Sequence, residues 1–389
     1  MTDQLSIRGE GILMPICVHA DNLAEAAHKA IIACHDSGAR AETPKHKKGM
    51  TLGYDAPIIV GVRNADSEPK VYFPAMHDSP LGTINYILEV THGIHNHWKK
   101  TPEEPHFWGY TYNERFVDQL PFIFQRIKSD WEEKLKKEGE ARISGRDYMF
   151  DIWRAGEDII LEQPDAPCFQ RGGLRFLFND KGEIVLNYLT AWRSRDELKA
   201  WNENDTGQVG CEEVPGLMRL FRDKVSNMLG VPIKMGSYID YSDSLHLYGL
   251  YIDRDGLEEK IANMKKEGWE GRSMPLKDWI LMNDHNLSIS GLKSLIAAQL
   301  DAEKKGHGKQ QPYSGLSALG YDIENFQYPQ EWDSWPKSWD AKPDVEKLAR
   351  VIDIEKIKKS ERNRVVDEIL QNGFSSLDEV ASKIASFKK

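Results

Sequence analysis

Cys168 is the residue whose setting most invites chemistry. It follows Ala166 and Pro167 and precedes Phe169, Gln170 and Arg171, just ahead of a β-rich run. A cysteine attacks as its thiolate, a form that nearby cations and hydrogen-bond donors favour. Arg171 and Arg175 lie close in sequence, and Arg193 and Arg195 come where the chain returns. A free cysteine taken alone is more often an inert buried side chain, so the case for Cys168 depends on what accompanies it.

Two further clusters could accompany it. In WRSRDELKAWNEN, residues 192–204, Arg193 offers a charged fork and Ser194 a hydroxyl, a pair suited to gripping a phosphate. Asn204 carries one donor and one acceptor side by side, as reading the edge of a base requires. In YIDYSDSLHLYG, residues 238–249, His246 and Tyr248 are two apart and share a face of an extended strand, so both could reach one sugar hydroxyl. Each cluster has a plain alternative: a solvated charge run for the first, a buried sheet face for the second. A third grouping, His92, His95 and His97 with His77 and His106, fits a metal poorly. On a helix His97 is rotated away from the other two, and no metal is expected.

The elements that must position these residues read as mixed α and β. Leu23, Ala26, Ala27, Ala30, Ile31 and Ala33 form one apolar face of a helix over 22–36, followed by a basic loop at 45–48 and a strand over 57–62. Helices are expected over 83–98 and 117–137, with a Pro- and aromatic-rich loop at 101–112 between them. LRFLFN and EIVLNYL, joined around Asp180, Lys181 and Gly182, make the clearest hairpin. A helix over 214–229 stops at Gly230, and two strands, 233–241 and 245–252, complete a sheet-rich centre. Beyond residue 255 the sequence turns to charged helices. A strap at 328–343 interleaves three Trp with Pro, and Ser376 and Glu379 have capping-box spacing in the last helix.

Composition narrows the class. With 40% hydrophobic, 29% charged and 10% aromatic residues, the chain is of ordinary globular type. A net charge of −10 argues against broad nucleic-acid binding, which needs a basic face, but allows an anionic small molecule held by a few arginines. Cys17, Cys34, Cys168 and Cys211 form no CxxC pair and no dense framework, as expected of a cytoplasmic protein. Neither a signal peptide nor a membrane span is read.

Taken in order, the clusters resemble the thymidylate synthase family, which includes the pyrimidine nucleotide hydroxymethylases. Pro167-Cys168 resembles its Pro-Cys nucleophile, Arg193-Ser194 with Asp196 its Arg-Ser-x-Asp phosphate and folate segment, and His246-Leu247-Tyr248 its His-x-Tyr sugar pair. Asn204, eight residues after Asp196, falls where the family places its base-reading residue. Less tightly, Glu89 in NYILEVTHG resembles the family's water-organising glutamate. Tyr112 in WGYTYNER resembles the tyrosine of its Gly-x-x-Tyr-Gly loop, with Asn113 in place of the second Gly. Arg142 and Arg146 lie where the family carries arginines that cross a dimer interface to the partner's phosphate, although the adjacent Arg pair is absent.

The resemblance implies an α+β fold, a large mixed sheet covered by helices. A catalytic domain would span residues 1–255, with its motifs in 86–251, and a helical extension 256–389. It implies a homodimer that transfers a one-carbon unit from methylenetetrahydrofolate to C5 of a pyrimidine nucleoside monophosphate through a Cys168–C6 adduct. Departures bear on the last step. Phe169 replaces a His that often follows the nucleophile, Ala200 stands where many synthases have Gly, and Lys388-Lys389 replaces an apolar C-terminus that seals the folate site. Hydroxymethylation of deoxyuridylate is therefore expected over methylation to thymidylate. Deoxycytidylate remains an alternative base because Asp205 adjoins Asn204, and a non-catalytic nucleotide-binding protein is the alternative of another class.

Overall fold

A computed structural model describes residues 14–43, 51–75, 109–138, 145–159, 166–196, 213–247 and 254–275, with single positions at 86, 87, 89–91, 93, 96, 208, 210, 297, 300, 301, 304 and 324–327. The basic loop, the Trp-rich strap, the last helix and most of the 256–389 extension lie outside the described residues, as do the five clustered histidines.

The chain enters through β1 (Ile16–Ala20) and α1 (Leu23–Ser37). Asn22 caps the helix, its side chain accepting from the Glu25 N–H at 2.9 Å, while the Glu25 carboxylate returns to the Asp21 N–H at 2.7 Å. Two orphan donors are thereby satisfied. Leu23, Ala26, Ala27, Ala30 and Ile31 of the expected apolar face are fully buried, with Cys34 completing it in place of Ala33, which is only partly buried. Small alanines let the helix lie close on the sheet.

Strands β2 (Ala39–Thr43), β3 (Thr51–Val62) and the short β4 (Val71–Tyr72) follow. Next come α2 (Tyr112–Phe116), α3 (Leu120–Glu138), β5 (Met149–Asp151) and α4 (Ala155–Asp158). The hairpin is β6 (Phe169–Phe178) and β7 (Ile184–Trp192), closed at Gly182, whose φ of 73° suits a residue without Cβ. After β8 (Arg195–Asp196) a π-helical stretch, Glu213–Met218, leads into α5 (Arg219–Leu229), which ends at Gly230 in the left-handed conformation. Then come β9 (Ile233–Leu247), α6 (Arg254–Glu267) and β10 (Ser273–Met274).

Eight strands form one mixed sheet with the path β1-β3-β9-β7-β6-β5, with β2 also on β3 and β8 also on β9. β7 and β9 are parallel, so the chain between them must cross over, and α5 supplies the crossover. Ile58, Val60, Val62, Leu186, Tyr188 and Tyr238 are buried on the helix-covered face. Leu257, Ile261 and Met264 of α6 join the same core, so the chain beyond 255 begins by packing on this body.

Two expectations are corrected. The strands expected at 233–241 and 245–252 are one strand as far as Leu247. Ser242 pairs with Ile58, and Asp243 with Ser244 bulges against Pro57 before the next pair, Ala56↔Leu245. The helix expected over 83–98 is helical at 86, 87 and 89–91 but breaks at Gly93, whose φ is 64°.

Gly172 lies opposite Phe150 in the β5–β6 ladder, and a Cβ there would overlap the Phe150 ring. Gly172→Ala is expected to lower stability by about 1–3 kcal/mol through overpacking, seen as a lower urea midpoint at unchanged slope. An unchanged midpoint would mean that the ring has room to move.

Candidate functional site

The site is assembled by strand register. Phe169 pairs with Trp192 at the open end of the β6–β7 ladder, and the next step sets Cys168 against Arg193, whose N–H donates to the Cys168 carbonyl at 2.7 Å. The guanidinium is then held by the nucleophile's own neighbours. Nη2 donates to Ala166 O at 2.9 Å and Nε to Pro167 O at 3.4 Å. That places Nη2 3.6 Å from Cys168 Sγ, and Ser194 Oγ reaches the same sulfur at 3.3 Å. A cation and a hydroxyl thus meet one part-buried thiol, the company that a nucleophilic thiolate uses. The sequence expected Arg193 and Ser194 at a phosphate; the structure brings both to the sulfur.

Aromatic rings floor this corner. Phe169 and Trp192 stack with centroids 4.6 Å apart and planes 15° apart, and Tyr112 meets both edge-on at 5.9 and 6.3 Å. Burial pushes the Tyr112 phenol well above its usual range, with Tyr110 and Cys168 adding to the rise. A hydrogen bond from the Phe169 backbone and one with Tyr86 pull the other way. Tyr112 therefore keeps its proton at neutral pH.

Tyr112 is held by a polar knot that the sequence did not announce. Thr111 caps α2 and donates to Asn96 Oδ1 at 2.5 Å; Asn96 donates to Asn113 Oδ1 at 2.9 Å; Asn113 donates to Val90 O at 3.1 Å. This knot ties the helical turn that carries Glu89 to the turn that carries Tyr112. Glu89 itself is 5% exposed, a buried carboxylate and not a helix-surface one. Asn113, in the position of the expected glycine, is fully buried and makes two of these bonds.

Arg195 is the main residue missed. It looks like one more member of a charge run, yet it is 6% exposed. Its guanidinium bonds Glu213 Oε1 at 2.7 Å, lies 3.7 Å from Asp240 Oδ2 and sits 4.0 Å over the Trp192 ring. Asp240 is engaged further by Thr190 at 2.7 Å and Tyr238 at 3.0 Å. Burial, with Asp240 and Glu213 nearby, holds the Tyr238 phenol well above its usual range, so it stays a donor. Charge alternation in RSRD gave no sign that one arginine faces solvent chemistry and the next the core.

Asp196 and His246 are register partners in the β8–β9 ladder, and His246 also lies opposite Asp55 of β3. Because β7 and β9 run parallel, their C-terminal ends, the start of β6 and all of β8 lie at one end of the sheet. Cys168, Arg193, Ser194, Asp196 and His246 are gathered there. Arg146 is exposed, while Asn204, Tyr248 and Arg142 lie outside the described residues. Two open cavities, of about 380 and 330 Å³, sit along β1 and α1 around His19 and Lys29, and no candidate residue lines either. Among the described residues no His, Cys, Asp and Glu group could hold a metal, and no helix is long and apolar enough to cross a membrane.

No protein-family model and no curated protein matches the sequence. Among solved structures the chain is similar to the thermostable thymidylate synthase A from Bacillus subtilis, at 14% identity and a TM-score of 0.40, over 62% of this chain and 84% of that one. At this similarity the site rests on its own geometry.

Removing the buried cation should be costly. Arg195→Met would leave the Glu213 and Asp240 carboxylates without it, and an expected loss of about 3–5 kcal/mol follows from a buried pair broken on one side. Chemical denaturation measures it; a loss below 1 kcal/mol would mean that water reaches the cluster.

Proposed function

We propose that the chain transfers a one-carbon unit from a reduced folate to C5 of a pyrimidine nucleoside monophosphate, through covalent attack by Cys168 on C6. The observation that carries this reading is the convergence of Arg193 and Ser194 on the Cys168 sulfur. In a neutral pyrimidine C5 is a weak nucleophile. Addition of the thiolate to C6 moves the ring's double-bond electrons toward C5 and O4, and C5 becomes enolate-like. Asn204 would stabilise the charge along N3 and O4. The guanidinium N–H groups that do not bond the Ala166 and Pro167 carbonyls would hold the phosphate with Ser194, and His246 with Tyr248 would hold the sugar.

Methylenetetrahydrofolate, when bound, supplies the one-carbon unit. Asp196 is a fitting ligand for it, since a carboxylate accepts from a pterin's N–H groups and Asp196 stands two residues from Ser194 and beside His246 in the ladder. Tyr112, which keeps its proton, and the buried Glu89 would relay protons to and from the ring. Phe169, packed against Trp192, replaces the His that often follows the nucleophile, Ala200 alters the folate side of the family pattern, and we favour a hydroxymethyl product on deoxyuridylate, with water adding to the exocyclic methylene. With that water excluded, hydride from the tetrahydrofolate would give a methyl product and dihydrofolate instead. The reading includes a homodimer in which Arg142 or Arg146 reaches the partner's phosphate.

Incubation with 5-fluorodeoxyuridylate and methylenetetrahydrofolate is expected to leave a nucleotide adduct on Cys168, seen by mass spectrometry and lost in Cys168→Ser. No adduct would favour a nucleotide-binding protein without catalysis. Asn204→Asp should shift preference toward the cytosine nucleotide by about an order of magnitude or more, as expected when a base-edge hydrogen-bond pattern is inverted. Competition between the two nucleotides reads it, and an unchanged ratio would remove Asn204 from base reading.

A further inference from the structure

β1 opens the sheet path, and among the described residues it pairs with β3 alone. Its five residues run in unbroken register with Ile58–Val62, without bulge or proline. In a parallel ladder a residue turns both its N–H and its C=O to one neighbour, and the next residue turns both to the other side. Ala20 O accepts from the Arg63 N–H at 2.8 Å and so faces β3, while His19 O accepts from Lys29 Nζ at 2.9 Å and so faces outward. By the same alternation the N–H and C=O of Cys17 and the N–H of His19 lie on the outer edge. Such groups are what an added strand pairs with.

α1 turns this edge into a groove. The 330 Å³ cavity is lined by residues of β1 and α1 alone, so it lies between the strand's edge and the helix, and it shares His19 and Lys29 with the 380 Å³ cavity beside it. Five strand residues give roughly 16 Å of edge, the length of a short extended peptide. Ile32 and Ala33 are half-buried at the groove, an apolar shelf beyond the face that α1 packs on the sheet. The same lining has the Lys29 ammonium, the His19 and His28 imidazoles and no carboxylate, in a chain whose net charge is −10. In the neighbouring cavity the Asp21 and Glu25 carboxylates are already matched, by Arg63 at 3.3 Å and Lys29 at 2.8 Å. We propose that this groove docks an extended segment of a partner protein as an added strand, one that turns an acidic and an apolar side chain, two residues apart, toward α1. The spacing fits: Lys29 and the Ile32–Ala33 shelf are about 5–6 Å apart along the helix, close to the rise of two strand residues. Cys17 and His19 would supply the main-chain bonds, Lys29 would meet the carboxylate, and the shelf would take the apolar side chain. Cys168 is not involved, since β6 and β7 lie beyond β3 and β9 on the sheet path.

In the full chain, deuterated and labelled with ¹⁵N, the Cys17 and His19 amide signals report on the edge. The probe is the acetylated, amidated heptapeptide Thr-Val-Thr-Glu-Thr-Val-Thr, whose pattern is the same in both strand directions. It is expected to shift both signals saturably at millimolar concentration and to slow their hydrogen exchange. The same peptide with Lys in place of Glu should bind roughly tenfold more weakly, and Lys29→Glu should reverse that order. His19→Pro removes one outward N–H and no bond to β3, and it should weaken binding by roughly tenfold, about the worth of one hydrogen bond, without unfolding the chain. Should proline disturb the strand, the charge reversal at Lys29 still decides. No saturable shift, shifts confined to other residues, or equal binding of the two peptides overturns the proposal. So does protection of the two amides that rises with protein concentration before peptide is added, which would make a second copy of the chain the occupant. None of these outcomes bears on the Cys168 adduct, which tests the reaction separately.

Discussion

The register of β6 against β7 is the constraint on which the site depends. With Phe169 opposite Trp192, the next residues along each strand are Cys168 and Arg193, and the guanidinium settles on the Ala166 and Pro167 carbonyls beside the sulfur. A slip of one residue would turn every side chain of one strand to the other face and separate the pair. The sheet guards against this at both ends of the hairpin. Gly182 sets the turn, and the Phe169–Trp192 stack locks the open end. Between them a bulge at Gln170 lets Phe169 face the core without forcing Arg171 to follow, and the Gln170 carbonyl accepts from Ile152 and Trp153 at 2.7 and 3.0 Å.

Arg195 extends that constraint from the hairpin to the rest of the sheet. Its burial costs desolvation, which two carboxylates and an aromatic face offset. In return the chain leaving β7 is fixed in direction: Arg195 points to the core, Ser194 to the sulfur, and β8 is laid along β9. The pair to Glu213 also anchors the π-helical stretch that opens the crossover. Such stretches are rare, and they recur where a functional site needs a helix displaced from its regular path.

How much of this was legible follows from range. The α1 face, the hairpin and the Gly230 stop are local, and their spacing alone predicted them. Cys168, Arg193 and Ser194 were singled out in separate clusters and joined only by the family resemblance, with Arg193 and Ser194 expected at a phosphate; the hairpin between them was legible, but the contact it makes at the sulfur was not read from it. Arg195 was not, because its partners Glu213 and Asp240 are 18 and 45 residues away and nothing in RSRD separates a buried arginine from an exposed one. The Thr111–Asn96–Asn113 knot was hidden for the same reason: amides and hydroxyls advertise loops in sequence and declare their partners only in space. The polar run Ser242–Asp243–Ser244 looked like a turn between two strands, and a bulge is the other way for an antiparallel ladder to absorb such residues.

That misreading matters because the bulge decides which way the histidine points. Before it, even-numbered residues of β9, Tyr238, Asp240 and Ser242, are buried toward the helices, and by simple alternation His246 would join them. The extra residue inverts the alternation, so Leu245 and Leu247 take the buried face and His246 is presented with Asp55 and Ser244. Asp240 and Asp55 therefore serve opposite faces of one sheet. The first faces a core arginine and the second accepts from the Ser244 hydroxyl at 2.8 Å. Asp243 and Ser244, set together against Pro57, are the residues that break the alternation, so the aim of the ring comes from one local irregularity.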